Sequence, residues 1–373
     1  MDPDARRVGL GRLEIVFSGR DFIAEAAAAE LEHQSRDCSR CTGSLCFRFG
    51  THVAQAGGAV EVDRFLVSPD AVAVRDRYLS HSLRWDGPAL EVAVESATGW
   101  WQSPPVARAV RLVDQSFDDA AGRLAKRFYY TVFDQAVQLA QVPLGQSWVH
   151  SSAVTNGDRT VLFMAWGGVG KTAALLKMLE AGSWRFLSDD LSVLDVSGTA
   201  HRTPQRVQVF AANVAGQAAL RSELLAGRSR ADRFHWEARR RLLGARSVRR
   251  RVHGEDLFSD GAAAESGRVT DAVQLRRTDS ADFTLDVSTP HDLARVATSV
   301  LQVELEPLGL WLAAIHAAGP TTRWPTADAM IRETAAVIEA GLSEARARCL
   351  VVGVPRHCGP DALLRFLEDE VLA

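Results

Sequence analysis

The chain has 373 residues, 47% of them hydrophobic, and a formal net charge of −3. That is enough apolar content for a large core and enough length for two domains, and the lack of a global positive field argues against general nucleic-acid binding. No apolar run is long enough to span a bilayer, and the opening "MDPDARRVGLGRLEIVFSG" lacks the continuous apolar stretch of a secretory signal, so the expectation is a cytoplasmic protein with no membrane partner.

In chain order, "LEIVFSG", "SLCFRFG", "AVEVDRFLV" and "ALEVAVES" read as short strands, with turns at Gly57-Gly58 and Asp86-Gly87 and one helical run, "DFIAEAAAAELEH". Together they predict a small α+β domain over 1–145, with substrate recognition as its candidate role. The cysteines number five, unlike a paired disulfide framework, and three crowd into "CSRCTGSLC". His33 with Cys38, Cys41 and Cys46 gives H-x4-C-x2-C-x4-C, four potential zinc ligands. Zinc sites are usually built from two well-separated pairs, so the reading favours loop thiols over zinc.

A helix is predicted over 118–141 from the spacing of Leu124, Phe128, Val132, Phe133, Ala136 and Leu139, with Ser116 and Asp119 as a capping-box-like start and Pro143 and Gly145 as the stop. Trp100-Trp101 and Phe128-Tyr129-Tyr130 read as core aromatics. The main boundary falls at 145, and 146–373 forms the second predicted domain.

That domain opens with "WVHSSAV", a turn at Asn156-Gly157 and "TVLFMA", a hairpin feeding a glycine-rich turn. A helix over 171–181 follows, ending at Gly182, then "RFLSDD" and "LSVLDVSG" as strands. Residues 217–255 read as helical and arginine-rich, "SDGAAAESG" as a mobile loop, and the carboxyl end as a helix near 326–347, the strand "CLVVGV" and the helix "GPDALLRFLEDEVL".

Three features carry chemistry. The first is Ala165-Trp166-Gly167-Gly168-Val169-Gly170-Lys171-Thr172, which matches the phosphate-loop pattern G-x4-G-K-[ST] except that alanine stands first. Gly167, Gly168, Val169 and Gly170 would wrap a phosphate at a helix N-terminus, Lys171 would reach the outer phosphates, and Thr172 would ligate Mg²⁺. Lysine otherwise occurs only at Lys126 and Lys177 in a chain rich in arginine, so its use here points to a compact ammonium. The bland reading is a tight strand-to-helix turn without ligand. The second feature is Asp189-Asp190 after Ser188, where one carboxylate can help hold Mg²⁺ and the other accept a hydroxyl proton; the alternative is a polar turn in which Asp190 caps the next element. His150 is the third. A lone strand histidine is more often a core residue, and it gains weight only from this company.

"WVHSSAV", "VLFMAWGGVGKTAALLKMLEAG" and "FLSDDLSVL" together resemble the HPr-kinase-like branch of the phosphoenolpyruvate-carboxykinase-type P-loop fold, over about residues 147–204. The resemblance implies an α/β domain with a mixed sheet, ATP or GTP held with Mg²⁺ by Lys171 and Thr172, a metal contact and catalytic base shared between Asp189 and Asp190, and His150 lining the site. It implies transfer of a γ-phosphate to a hydroxyl, with a serine of a peptide or protein favoured, a biosynthetic precursor peptide and a small hydroxyl substrate included, and homo-oligomers by family analogy. The first domain and the alanine at 165 depart from the bifunctional HPr kinase/phosphorylases. In "EARRRLLGARSVRRRVHG" a solvated helix face and a source of a phosphate-stabilising cation stay equally open, Arg250 being a weak candidate. Against the kinase stand a small-metabolite kinase of the ordinary P-loop type, which a mixed sheet around the loop would disfavour, and a non-catalytic nucleotide-sensing module.

Overall fold

The computed structural model describes residues 5–51, 59–112, 114, 116–214, 217–257, 263–319 and 323–372. The Gly57-Gly58 turn and the 259–262 part of "SDGAAAESG" lie outside them. The molecule is mixed α/β.

Residues 6–96 build an eight-stranded mixed sheet. The strands Leu13–Gly19 and Gly43–Phe49 run parallel, which requires a crossover, and the helix Ala24–Ala29 supplies it. That helix is shorter than "DFIAEAAAAELEH" predicts, because Glu30 is drawn to Arg206 and Arg251 and Gln34 to the Arg202 carbonyl. "AVEVDRFLV" is two strands turning at Asp63, whose φ is +52°. The sheet buries one face: Phe17, Phe47 and Phe49 meet Phe128 and Phe133 edge-on or stacked, with centroids 5.2 to 6.2 Å apart. Leu301, Leu305, Leu308, Trp311 and Ile315, from two helices near the carboxyl end, join the same apolar cluster. Trp100 departs from the core reading and is exposed, whereas Phe128 and Tyr129 are buried.

The helix predicted over 118–141 is present as Ala120–Phe128, a π-helical turn Tyr129–Phe133 and Asp134–Gln141. Asp119 is itself the N-cap, accepting from the Gly122 amide at 2.9 Å, so the start lies three residues later than a Ser116 cap would place it. A short 3₁₀ turn and Gly145, at φ +72°, end the segment.

Behind it lies a six-stranded sheet in the order Arg185–Ser188, Ser151–Thr155, Thr160–Ala165, Asp271–Thr278, Arg348–Pro355, Thr284–Val287. Its three middle strands, Thr160–Ala165, Asp271–Thr278 and Arg348–Pro355, are parallel, and the others are antiparallel to their neighbours. The helices Lys171–Glu180 and Pro360–Phe366 cover one face through Leu175, Leu179 and Leu363; Pro290–Glu304 and Ala327–Ala345 cover the other through Leu293, Ala294, Ile338 and Leu342. A four-stranded antiparallel sheet adjoins it, containing Gln146–Val149 and Ser192–Asp195.

The middle segment departs from the helical reading. It holds two helices, Ala218–Leu225 and Arg230–Leu243, but Arg249–Val252 is a strand paired with Val207–Phe210. Ser266–Arg268, read as loop, pairs with Thr199–His201.

Candidate active site

Parallel strands gather their carboxyl ends on one side of a sheet, and ligands of open α/β sheets bind there. Thr160–Ala165 ends at that side and turns into the helix Lys171–Glu180 through five residues, with Gly168 at φ +78° and Gly170 at φ +127°. A side chain at Gly170 would also meet Leu363 at 2.9 Å. Ala165 needs neither freedom nor space: it is the last strand residue, in register with Leu275, 4% exposed, and is not among the residues with positive φ. The missing first glycine is therefore compatible with the loop that is formed.

Lys171 opens the helix and is 7% exposed. Its ammonium donates to the Ala165 carbonyl at 2.7 Å, across its own loop. Burial pushes its pKa down, against the pull of Asp190, Asp189 and Glu304. Next to it, Thr172 Oγ1 lies 3.1 Å from each carboxylate oxygen of Asp189. The Ser152 hydroxyl donates to the same carboxylate. Burial drives the Asp189 pKa up to about 6, reinforced by Asp190 and opposed by Ser152, Lys171 and Thr172.

Asp190 adopts φ +71°, a left-handed conformation that aspartate tolerates better than most residues. This bend lets adjacent carboxylates diverge: Asp189 points at Thr172, and Asp190 lies half-exposed, its Oδ1 3.9 Å from His150 Nε2. His150 sits in the one-residue gap between Gln146–Val149 and Ser151–Thr155, where the chain passes from one sheet to the other, and not within a strand. Its pKa is pushed down to about 4 by burial and by Lys171, with Asp190 opposing, so the imidazole is neutral at pH 7. Its Nδ1 approaches Glu304 to 3.3 Å without forming a hydrogen bond.

Three further acidic or phenolic groups reach this cluster. Glu304 ends the helix Pro290–Glu304, and its carboxyl is raised by burial and Asp190. Asp134 follows the π-helical turn and accepts from Gln205 at 2.9 Å; burial, then Asp190, pushes it well above the carboxylate range. Burial and then Asp190 raise the Tyr130 hydroxyl too. Sequence reasoning missed all three, and also Arg277.

The loop separates two cavities. One, of about 650 Å³, is lined by Gly168, Gly170, Arg246, Arg277 and Arg356 among others. The second, of about 290 Å³, is lined by His150, Trp166, Arg276 and Arg277 among others. Arg277 belongs to both, donating to the Pro355 carbonyl at 2.7 Å and to that of Gly168 at 3.5 Å. Trp166, at the lip of the loop, is 53% exposed.

The structure thus brings Lys171, Thr172, Asp189, Asp190 and His150 together around Gly167–Gly170. Arg250 lines neither cavity; it pairs with Asp232 at 2.6 Å and stacks on Phe117 and Trp236. Among the described residues, His33, Cys38, Cys41 and Cys46 do not converge on one point. Cys46 contacts Ser44, Cys41 faces the Gly11 carbonyl, and all five thiols are free.

Comparison with solved structures places the HPr(Ser) kinase/phosphatase from Coxiella burnetii beside this chain at 11% identity and a TM-score of 0.23, over 38% of this chain and 78% of that one. No protein-family profile and no curated protein matches. At that level of similarity the chemistry of the site rests on its own distances. Among the described residues, no helix is long and apolar enough to cross a membrane.

Proposed function

We propose that this chain is a Mg²⁺-dependent phosphotransferase that moves the γ-phosphate of ATP or GTP to a hydroxyl, with a serine of a peptide or protein as the acceptor. The observation that carries this reading is the division of the aspartate pair: Asp189 is turned onto the hydroxyl of Thr172, and Asp190 is turned away from it beside a neutral histidine.

The residues present fit a magnesium-bound triphosphate. A buried ammonium whose hydrogen-bond partner is a carbonyl of its own loop is a cation ready for an anion. A threonine hydroxyl against both oxygens of a buried carboxylate is an oxygen donor set of the type Mg²⁺ takes with phosphates. Bound there, the cation would offset negative charge on the phosphates.

The chain's own part is positioning and proton transfer. Gly168 and Gly170 curve the loop so that amides at the helix N-terminus face the phosphates, and Lys171 and Arg277 supply positive charge where the transferring group gains negative charge. Asp190 takes the acceptor's proton as the new oxygen–phosphorus bond forms and the bond to the leaving diphosphate breaks. His150, uncharged, stands 3.9 Å from Asp190 and does not neutralise it. The antiparallel hairpin before the loop and the mixed sheet around it favour this reading over a small-metabolite kinase of the ordinary P-loop type. A serine acceptor is inferred from the resemblance over 147–204.

The test is incubation with γ-labelled ATP or GTP, Mg²⁺ and candidate peptides. Asp190→Asn should lose transfer while nucleotide affinity stays within about threefold, since general-base loss typically removes 10²–10⁴ in rate. If it transfers label as fast as the unaltered chain, or no acceptor is labelled by either, the kinase reading fails and a nucleotide-sensing module remains.

A further inference from the structure

His33 was singled out in the sequence for its neighbouring cysteines, but the fold gives it a different companion. The segment following Ala24–Ala29 packs against the end of the strand Arg249–Val252, and the rings of His33 and His253 stand 4.6 Å apart, centroid to centroid. Glu32 completes a trio: one ligating atom from each of Glu32, His33 and His253 lies within 4.8 Å of the other two. His253 is 8% exposed, and its Nε2 is buried with no hydrogen-bond partner. Buried polar atoms are nearly always satisfied, so a lone imidazole nitrogen beside a second histidine and a carboxylate calls for an occupant.

We propose that Glu32, His33 and His253 form a site for a divalent transition cation of the zinc class, with water completing the coordination, that ties residues 30–34 to residues 249–256. Imidazole nitrogens select zinc-class ions, whereas Mg²⁺ and Ca²⁺ take oxygen. Two histidines, one carboxylate and water are a recurrent zinc set. The ligating atoms are spread more widely than around a bound ion, but Glu32 is exposed and His33 partly so, and both can rotate onto the fixed His253. Asp256 lies 3.7 Å from His33 Nε2, placed to orient that ring or to add a ligand.

Arg202, Arg206 and Arg251 are close, yet each is paired: Arg202 with Glu255 and Glu265, Arg206 with Glu30, and Arg251 with Glu30 and Asp118. Burial, then Arg206, His33, Arg251 and Arg202, lowers the His253 pKa to about 3.

The site stands apart from the phosphate loop and does not depend on the kinase reading. Its test is titration of the full chain with Co²⁺ followed by optical absorption, and equilibrium dialysis against Zn²⁺ in excess Mg²⁺. One cation per chain is expected, with the visible bands of nitrogen and oxygen ligation and no thiolate charge-transfer band. His33→Ala and His253→Gln should each weaken Zn²⁺ binding by at least about tenfold. The double variant Cys38→Ser, Cys41→Ser and the single variant Asp189→Asn should bind as the unaltered chain does. A thiolate band, unchanged affinity in the His33 variant, loss of binding in the Asp189 variant, or no binding at all would overturn the proposal. If His253→Gln fails to fold, His33→Ala, at a partly exposed position, carries the same decision.

Discussion

Two groups of buried charge lie in this molecule, and they are built on opposite plans. In the arginine strand, Arg250 and Arg251 are both bonded to carboxylates: Arg251 meets Glu30, which Arg206 also meets, at 2.9 Å, and Arg250 meets Asp232 at 2.6 Å while its guanidinium rests on Phe117. Around the phosphate loop, Lys171 is bonded to a backbone carbonyl, His150 Nδ1 has no hydrogen bond, and Asp189 is held up to about 6 by burial. The first group is scaffold, joining the strand to a helix and to the amino-terminal sheet. The second holds a buried ammonium with no carboxylate bonded to it, beside a neutral imidazole, the arrangement that the proposed function uses. The number of charges does not separate the two; whether the cations are bonded to carboxylates does.

The largest expected effect comes from the open group. Lys171→Ala should lower phosphotransfer by on the order of 10³ or more with the fold intact by circular dichroism, because the cation facing the transferring group is gone. Arg250→Ala should do the reverse. It leaves Asp232 without its cation, so a loss of roughly 3 kcal/mol in urea unfolding is expected, with unchanged kcat for the folded fraction. A kcat loss in that variant without a stability loss would erase the distinction between the groups.

Asp189→Asn sharpens the comparison through pH. The native state binds this proton more tightly than the unfolded chain, whose carboxyl titrates near 3.8, so wild-type stability falls as pH rises from about 4 to about 6 and the full penalty persists above that. Without Mg²⁺, the variant should melt a few degrees higher than wild type at pH 8, and the gain should vanish below pH 4 as measured by calorimetry. The smallest effect belongs to Ala165→Gly. Restoring the usual loop residue should leave turnover within about twofold and cost roughly 0.5–1 kcal/mol of stability, since glycine weakens a strand.

The loop and the aspartate pair were legible in the sequence because their signals are local: an apolar strand, glycines at a turn, a rare lysine, and a second strand close behind. His150 could be named but not placed, since nothing local says that one residue bridges two sheets. Glu304, Asp134, Tyr130 and Arg277 carry no such mark. A helix end, a π-helical turn and the end of a strand more than a hundred residues on bring them in, and only tertiary packing defines those positions. Arg250 was read from a charge run that resembles a solvated helix face. The alternative lay in Val248, Arg250 and Val252, which recur with the period of a strand, and Arg250 is buried because Asp232 and two aromatic rings receive it. Likewise Leu79–Asp86 alternates between buried and partly exposed positions and went unread beside its stronger neighbour Ala89–Ser96.

The indole at the lip of the loop gives the molecule an optical handle. Trp148, Trp236, Trp311 and Trp324 are enclosed and would emit alike whether or not anything docks, while Trp166 meets solvent at the one turn where a phosphate would arrive. A nucleotide seated there changes the polarity around that ring, so its fluorescence would report occupancy in real time, and Trp166→Phe would silence the signal without touching the amides, the ammonium or the carboxylates beneath it.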